Sequence, residues 1–95
     1  MNEDEKWYIE RLSSRDVSEA DVSSCIDTLE MLLSLDALMP LVSLIGDSSR
    51  SLEIRQRAAI AISRIGPSYV RQELDKLKSI GSPETGALVE MALKQ

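Results

Sequence analysis

DALMPLVSLIGDSSRSLEIRQRAAIAISRIG, residues 36–66, is the stretch whose reading decides the fold. It reads as two helices around a polar turn. In the second, Ile54, Ala58, Ala61, Ile62 and Ile65 share one face when successive residues advance by about 100°. That face is apolar but rich in alanine, so a neighbouring helix can approach it closely. Gly66 is expected to end the helix as a left-handed cap, and Pro67 to open the next one. The first helix carries Ala37, Leu38, Leu41, Val42, Leu44 and Ile45, with Pro40 in its first turn. A proline there gives up a backbone donor that has no intrahelical partner anyway. Asp47 and the serines behind it make the turn. Ser51 is placed to cap the second helix, with Glu53 in its positive first turn.

The run EIRQRAAIAISRIG, Glu53 to Gly66, resembles the second helix of HEAT-like repeats of the phycobilisome-lyase type. The family pattern is acidic, aliphatic and arginine, then an alanine-rich run closed by a basic residue, an aliphatic and glycine. Glu53, Ile54, Arg55, Ala58, Ala59, Ala61, Ile62, Arg64, Ile65 and Gly66 match it in order. The preceding ALMPLVSLIGD, Ala37 to Asp47, resembles the first helix of the same repeat, proline included. The resemblance implies an α-solenoid, in which a turn aspartate and this arginine tie successive loops together. On that basis Asp47 and Arg55 are expected to be structural rather than catalytic.

Outward from this stretch, weaker copies lie on both flanks. Upstream, residues Asn2 to Ser13 suggest a helix with Glu3, Asp4 and Glu5 at its positive end. Tyr8, Ile9 and Leu12 form its inner stripe, with Trp7 beside it. Ser18 is placed to cap a second helix through about Leu33, with Val22, Cys25, Ile26, Leu29, Leu32 and Leu33 facing inward. Setting Val22 against Ile54 gives an offset of 32 residues. Downstream, a helix from Ser68 to Ser79 presents Val70, Leu74 and Leu77, with Ile80 just past its end as a further candidate for the same stripe. Gly81, Ser82 and Pro83 interrupt it. The last helix, Pro83 to Lys94, turns Thr85, Leu88, Val89, Ala92 and Leu93 inward. Ser23, and the pair Thr85 and Gly86, depart from the repeat pattern, as terminal repeats that meet solvent commonly do. The expected fold is all-α: one domain over residues 1–95, a short α-solenoid of about three HEAT-like hairpins, six helices in all. The alternative is an irregular helical bundle.

Composition narrows the function. The chain has 95 residues, no histidine, no phenylalanine, and only Trp7, Tyr8 and Tyr69 as aromatics. Its core must be aliphatic, which suits helix-on-helix packing. Without histidine the usual metal ligand and near-neutral proton shuttle are missing. A formal net charge of −5 opposes a phosphate backbone on average. The single Cys25 cannot form an internal disulfide and fits a reducing compartment. The acidic MNEDEKWYIE start lacks the basic-then-apolar order of a signal peptide, and no stretch approaches membrane-spanning length. A cytoplasmic protein with no membrane association is expected.

Candidate chemistry is sparse. Cys25 lies on an apolar stripe with no histidine to activate it, so it reads as a small core residue. Glu3 to Glu5 read as helix-end electrostatics, since no loop alternates ligands around a glycine as a calcium site does. Arg50, Arg55, Arg57, Arg64 and Arg71 make the middle of the chain locally basic. No aromatics interleave with them to stack bases, and arginine is equally favoured at protein interfaces. Nucleic acid is thus a poor fit, and no enzyme activity, cofactor or metal is expected.

The expected function is a small scaffold that binds another protein. Alternatives are an accessory subunit of a bilin lyase-type activity, which the resemblance implies, and a nucleic-acid-binding solenoid. The expected surface is the outer arc of the second helices. Ile60, Met31 and Met91 would form an apolar ridge there, with Gln56, Ala59 and Ser63 on the same arc and Arg57 and Arg64 along the border. The competing reading makes Ile60 an edge core residue. Leu88, Ala92 and Leu93, close to the last residue, are expected to stay partly uncovered and to favour self-association through the C-terminal hairpin.

Overall fold

A computed structural model describes residues 3–94, and they form six α-helices with no strand among the described residues. These are α1 (Glu3–Leu12), α2 (Glu19–Met31), α3 (Leu38–Ile45), α4 (Leu52–Ile65), α5 (Arg71–Ile80) and α6 (Pro83–Leu93). Short 3-10 turns, Leu35–Ala37 and Pro67–Val70, lead into α3 and α5. The expected start at Asn2 lies outside the described residues.

Each second helix begins with the same device. Ser18, Ser51 and Ser82 hold an extended backbone, and their hydroxyls accept from the amides of Asp21, Ile54 and Thr85. Acidic residues follow in each first turn, where the helix dipole favours them. At the other end of α4, Gly66 has φ +153 and its amide donates to the Ile62 carbonyl. The positive φ was expected, but ψ of 88 puts the residue outside the left-handed helical basin. A side chain there would also meet the Tyr69 ring at 2.8 Å.

The helices pair as α1–α2, α3–α4 and α5–α6, giving three hairpins in a stack. α2, α4 and α6 lie side by side with α4 in the middle, and α3 packs against α4 from the other layer. The buried side chains form one aliphatic cluster that includes Ile26, Leu29, Leu41, Ile45, Ile62, Leu74 and Val89. Cys25 is buried within it, as its place on the stripe predicts. Ala58, Ala59 and Ala61 are wholly buried. Small side chains are needed at these positions because α4 is covered on three sides.

Three expectations need correction. Leu32 and Leu33 are not core residues, because α2 stops at Met31 and the chain turns before either can face inward. Ala59 is not on an open arc, because α6 closes over that side of α4. Leu88 and Ala92 are not uncovered: α6 presses them against α4 and α5, and Leu93 is half-buried.

Candidate functional site

The six residues expected to form the binding surface lie on three helices that adjoin, α2, α4 and α6, and differ in exposure. Met31 ends α2 and projects into solvent at 84% exposure. Ile60 is half-buried on α4, and Met91 is half-buried against the core. Gln56 is half-buried as well. Arg57 and Arg64 both reach across to α2. The Arg57 guanidinium donates to Asp27 Oδ1 at 2.5 Å and to Glu30 Oε1 at 2.6 Å, and Arg64 donates to Glu30 Oε2 at 2.8 Å. Burial acts to raise the Glu30 carboxyl, but hydrogen bonds from Arg64 and Arg57, with their charges, prevail and hold it below its ordinary value. This side of the stack is therefore a charged strap between the first and second hairpins.

The other arginines are also engaged. Arg55 is buried. Its Nε donates to the Ile45 carbonyl at 2.9 Å, Nη1 to Glu84 Oε1 at 2.6 Å and Nη2 to Thr85 Oγ1 at 2.9 Å. It thus fastens the start of α6 to the second hairpin. Asp47 is not its partner. Asp47 accepts from Arg15 Nη2 at 2.9 Å and from Ser49, which ties the second hairpin back to the loop after α1. The hydrogen bonds from Ser49 come first among the causes that hold the Asp47 carboxyl below its ordinary value; partial burial opposes them and the Arg15 charge adds to them. The aspartate and the arginine each join successive loops, but at different junctions. Arg71 pairs with Asp75 one turn along α5. Of the five arginines in the basic middle of the chain, Arg55, Arg57, Arg64 and Arg71 are thus paired with carboxylates.

Apolar exposure collects instead at the corner where α2 meets α3. Leu32, Leu33 and Leu35 are 51, 59 and 52% exposed, next to Met31 and one turn before the exposed Met39. Leu33 has φ +51, and among the described residues it alone, apart from glycine, has a positive φ. Its amide donates to the Glu30 carbonyl, and the amide of Ser34 donates to Leu29. This is a Schellman turn, a helix ending in which the left-handed position is ordinarily glycine. Ser34 is buried, and its hydroxyl donates to Glu5 on α1, fixing the turn. The sequence signal at this corner was the unbroken MLLSL, whose period continues the stripe of α2. The break comes without glycine or proline, so spacing alone does not reveal it.

Two clefts flank α1. One, of about 280 Å³, lies beside Trp7, Tyr8, Arg11 and Cys25. Arg11 sits over the Trp7 ring at 4.4 Å, and the Trp7 and Tyr8 rings meet edge to face. The other, of about 410 Å³, lies between the end of α1 and α3. Among the described residues no group of three or more cysteines, histidines or carboxylates is placed to hold a metal. No helix there is long and apolar enough to cross a membrane. Compared with protein-family models, with curated proteins and with solved structures, the chain matches none.

Proposed function

We propose that this chain is a small non-catalytic scaffold that binds another protein, with its main contact at the corner formed by Met31, Leu32, Leu33 and Leu35. The observation that supports this is Leu33. It occupies a backbone conformation that costs a leucine about 1–2 kcal/mol relative to the ordinary helical basin, and more than half of its side chain is given to solvent. Its side chain does little for the fold, and glycine would make the turn more easily. Strain retained at an exposed apolar position points to a role in recognition. Met31 beside it supplies a flexible apolar side chain suited to an adaptable contact. The HEAT-like assignment stands with this reading, since hairpin stacks of that kind present extended surfaces. The ridge of Ile60 and Met91 is retained as a secondary contact, with Gln56, Arg57 and Arg64 at its border. A bilin lyase-type role rests on the resemblance alone. A nucleic-acid role is disfavoured by the pairing of Arg55, Arg57, Arg64 and Arg71 with carboxylates.

The test is affinity capture from native lysate with the parent chain and with the double variant Met31→Gln, Leu33→Gly. The variant is expected to stay helical and to lose the captured protein. Equal capture by both, or none by the parent above a bare-matrix control, overturns the proposal.

A further inference from the structure

The 410 Å³ cleft between α1 and α3 has no part in the reading above. It exists because α1 packs on α2 and meets α3 only lightly, so the first-helix layer opens at the junction of the first two hairpins. Its floor is apolar, from Leu12, Met39, Pro40 and Leu44. One end is closed by Arg15, Asp47 and Arg50, which come from the two inter-helix loops.

That end has more donors than acceptors. The Arg50 side chain is only 7% exposed. Its Nη2 donates to the carbonyls of Leu12 at 3.0 Å and Ser14 at 3.2 Å, while its buried Nε meets no acceptor among the described residues. The nearest carboxylate oxygen, Asp47 Oδ2, is 4.0 Å from that Nε and already takes Arg15 at 2.9 Å. The other Asp47 oxygen is occupied by Ser49. Two guanidiniums against one carboxylate leave a formal charge of +1 on a chain whose total is −5. The cleft is thus a positive spot in a negative molecule, with an apolar floor beside it. Arginine is the side chain best matched to a carboxylate.

We propose that this cleft binds a peptide segment of a partner protein in which a large apolar side chain stands next to a carboxylate. The apolar side chain lies on Leu12, Met39, Pro40 and Leu44. The carboxylate meets the arginine end, where Arg15, 64% exposed, exchanges its contacts with Asp47 and Ser49 for it. A peptide fits better than a small amphipathic acid because the hydroxyls of Ser13 and Ser43 also line the cleft, and a peptide backbone has amides and carbonyls to meet them. The proposal rests on the scaffold reading and specifies the chemistry of one segment that the scaffold takes.

The experiment follows the amide shifts of the isotope-labelled full chain during titration with Ser-Phe-Asp-Leu-Gly-Ser. Three further probes are the same peptide with asparagine for aspartate, one with serine for phenylalanine and leucine, and octanoate. Saturable shifts are expected around Leu12, Arg15, Met39 and Leu44 with the first peptide. Binding of the asparagine peptide should be about tenfold weaker, the loss of one charge-assisted contact. The serine peptide and octanoate should not saturate. Arg15→Gln, at a largely exposed position and so expected to fold, should lower the affinity of the aspartate peptide to that of the asparagine peptide. Equal affinity for those two peptides, saturation by octanoate alone, or no shift with any probe overturns the proposal. The Met31→Gln, Leu33→Gly variant should still give the cleft shifts. A silent cleft in a parent chain whose corner variant loses its captured protein would remove this inference and leave the scaffold reading in place.

Discussion

Leucine at position 33 is a choice the backbone does not favour. Replacing it with glycine relieves the positive φ but also frees the unfolded chain, so the two effects partly offset. Because the side chain is mostly exposed, little packing is lost. Leu33→Gly is therefore expected to raise stability by about 0.5–1 kcal/mol, read as a higher urea midpoint. A lower midpoint would mean that the half-covered leucine does pack, and would weaken the functional case built on it. Arg55 is the opposite case. Replacing it with leucine takes the guanidinium from the Ile45 carbonyl and leaves the buried Thr85 hydroxyl only the contact from Ser82, while the exposed Glu84 can turn to water. The expected loss is about 2–4 kcal/mol. Glu84→Gln, which keeps an acceptor for Nη1, should cost well under half of that in the same assay. Equal losses would place the energy in the ion pair rather than in the buried hydrogen bonds.

Among the elements, α4 sets the spacing of the whole stack. Its wholly buried Ala58, Ala59 and Ala61 let α2, α3 and α6 gather around one helix. Ala61→Leu adds branched bulk where nothing is free to yield, and a loss of about 1–3 kcal/mol is expected from overpacking. An unchanged denaturation midpoint would show that the contact relaxes without cost. The inward face of α4 was legible because its period is local and strong. So were the serine caps at Ser18 and Ser51 and the breaks at Gly66 and around Gly81, each a matter of one residue type at one backbone position. Ala59 was misplaced because its burial depends on α6, a helix 30 or so residues away. The partners of Asp47 and Arg55 were missed for the same reason, since a long side chain chooses among loops that only the folded stack brings together. The end of α2 was missed because its stop signal lies in the backbone at Leu33 and not in residue type.

At the scale of the molecule, the three hairpins are joined by charge as well as by apolar contact. Arg15 with Asp47, Arg57 with Asp27 and Glu30, Arg64 with Glu30, and Arg55 with Glu84 all link one hairpin to the next. Glu30 and Asp47 are both held below their ordinary values in the folded chain. For a carboxyl lowered on folding, the stabilisation is complete above the unfolded value and is lost as pH falls through the folded one. The loss should therefore begin near pH 4, the ordinary carboxylate region, and continue below it. The chain has no histidine, so no side chain of that type adds a step between about pH 5 and 8. Urea midpoints are expected to be level across that interval and to fall steeply in acid. Glu30→Gln should lower the plateau, because Arg57 and Arg64 lose the carboxylate they share, and should flatten the acid limb, because one proton-linked site is gone. A variant with the lower plateau but the parent's acid slope would show that Glu30 acts through shape and hydrogen bonding alone, and that the acid sensitivity of the stack is set by other lowered carboxyls, Asp47 and Glu90 among them.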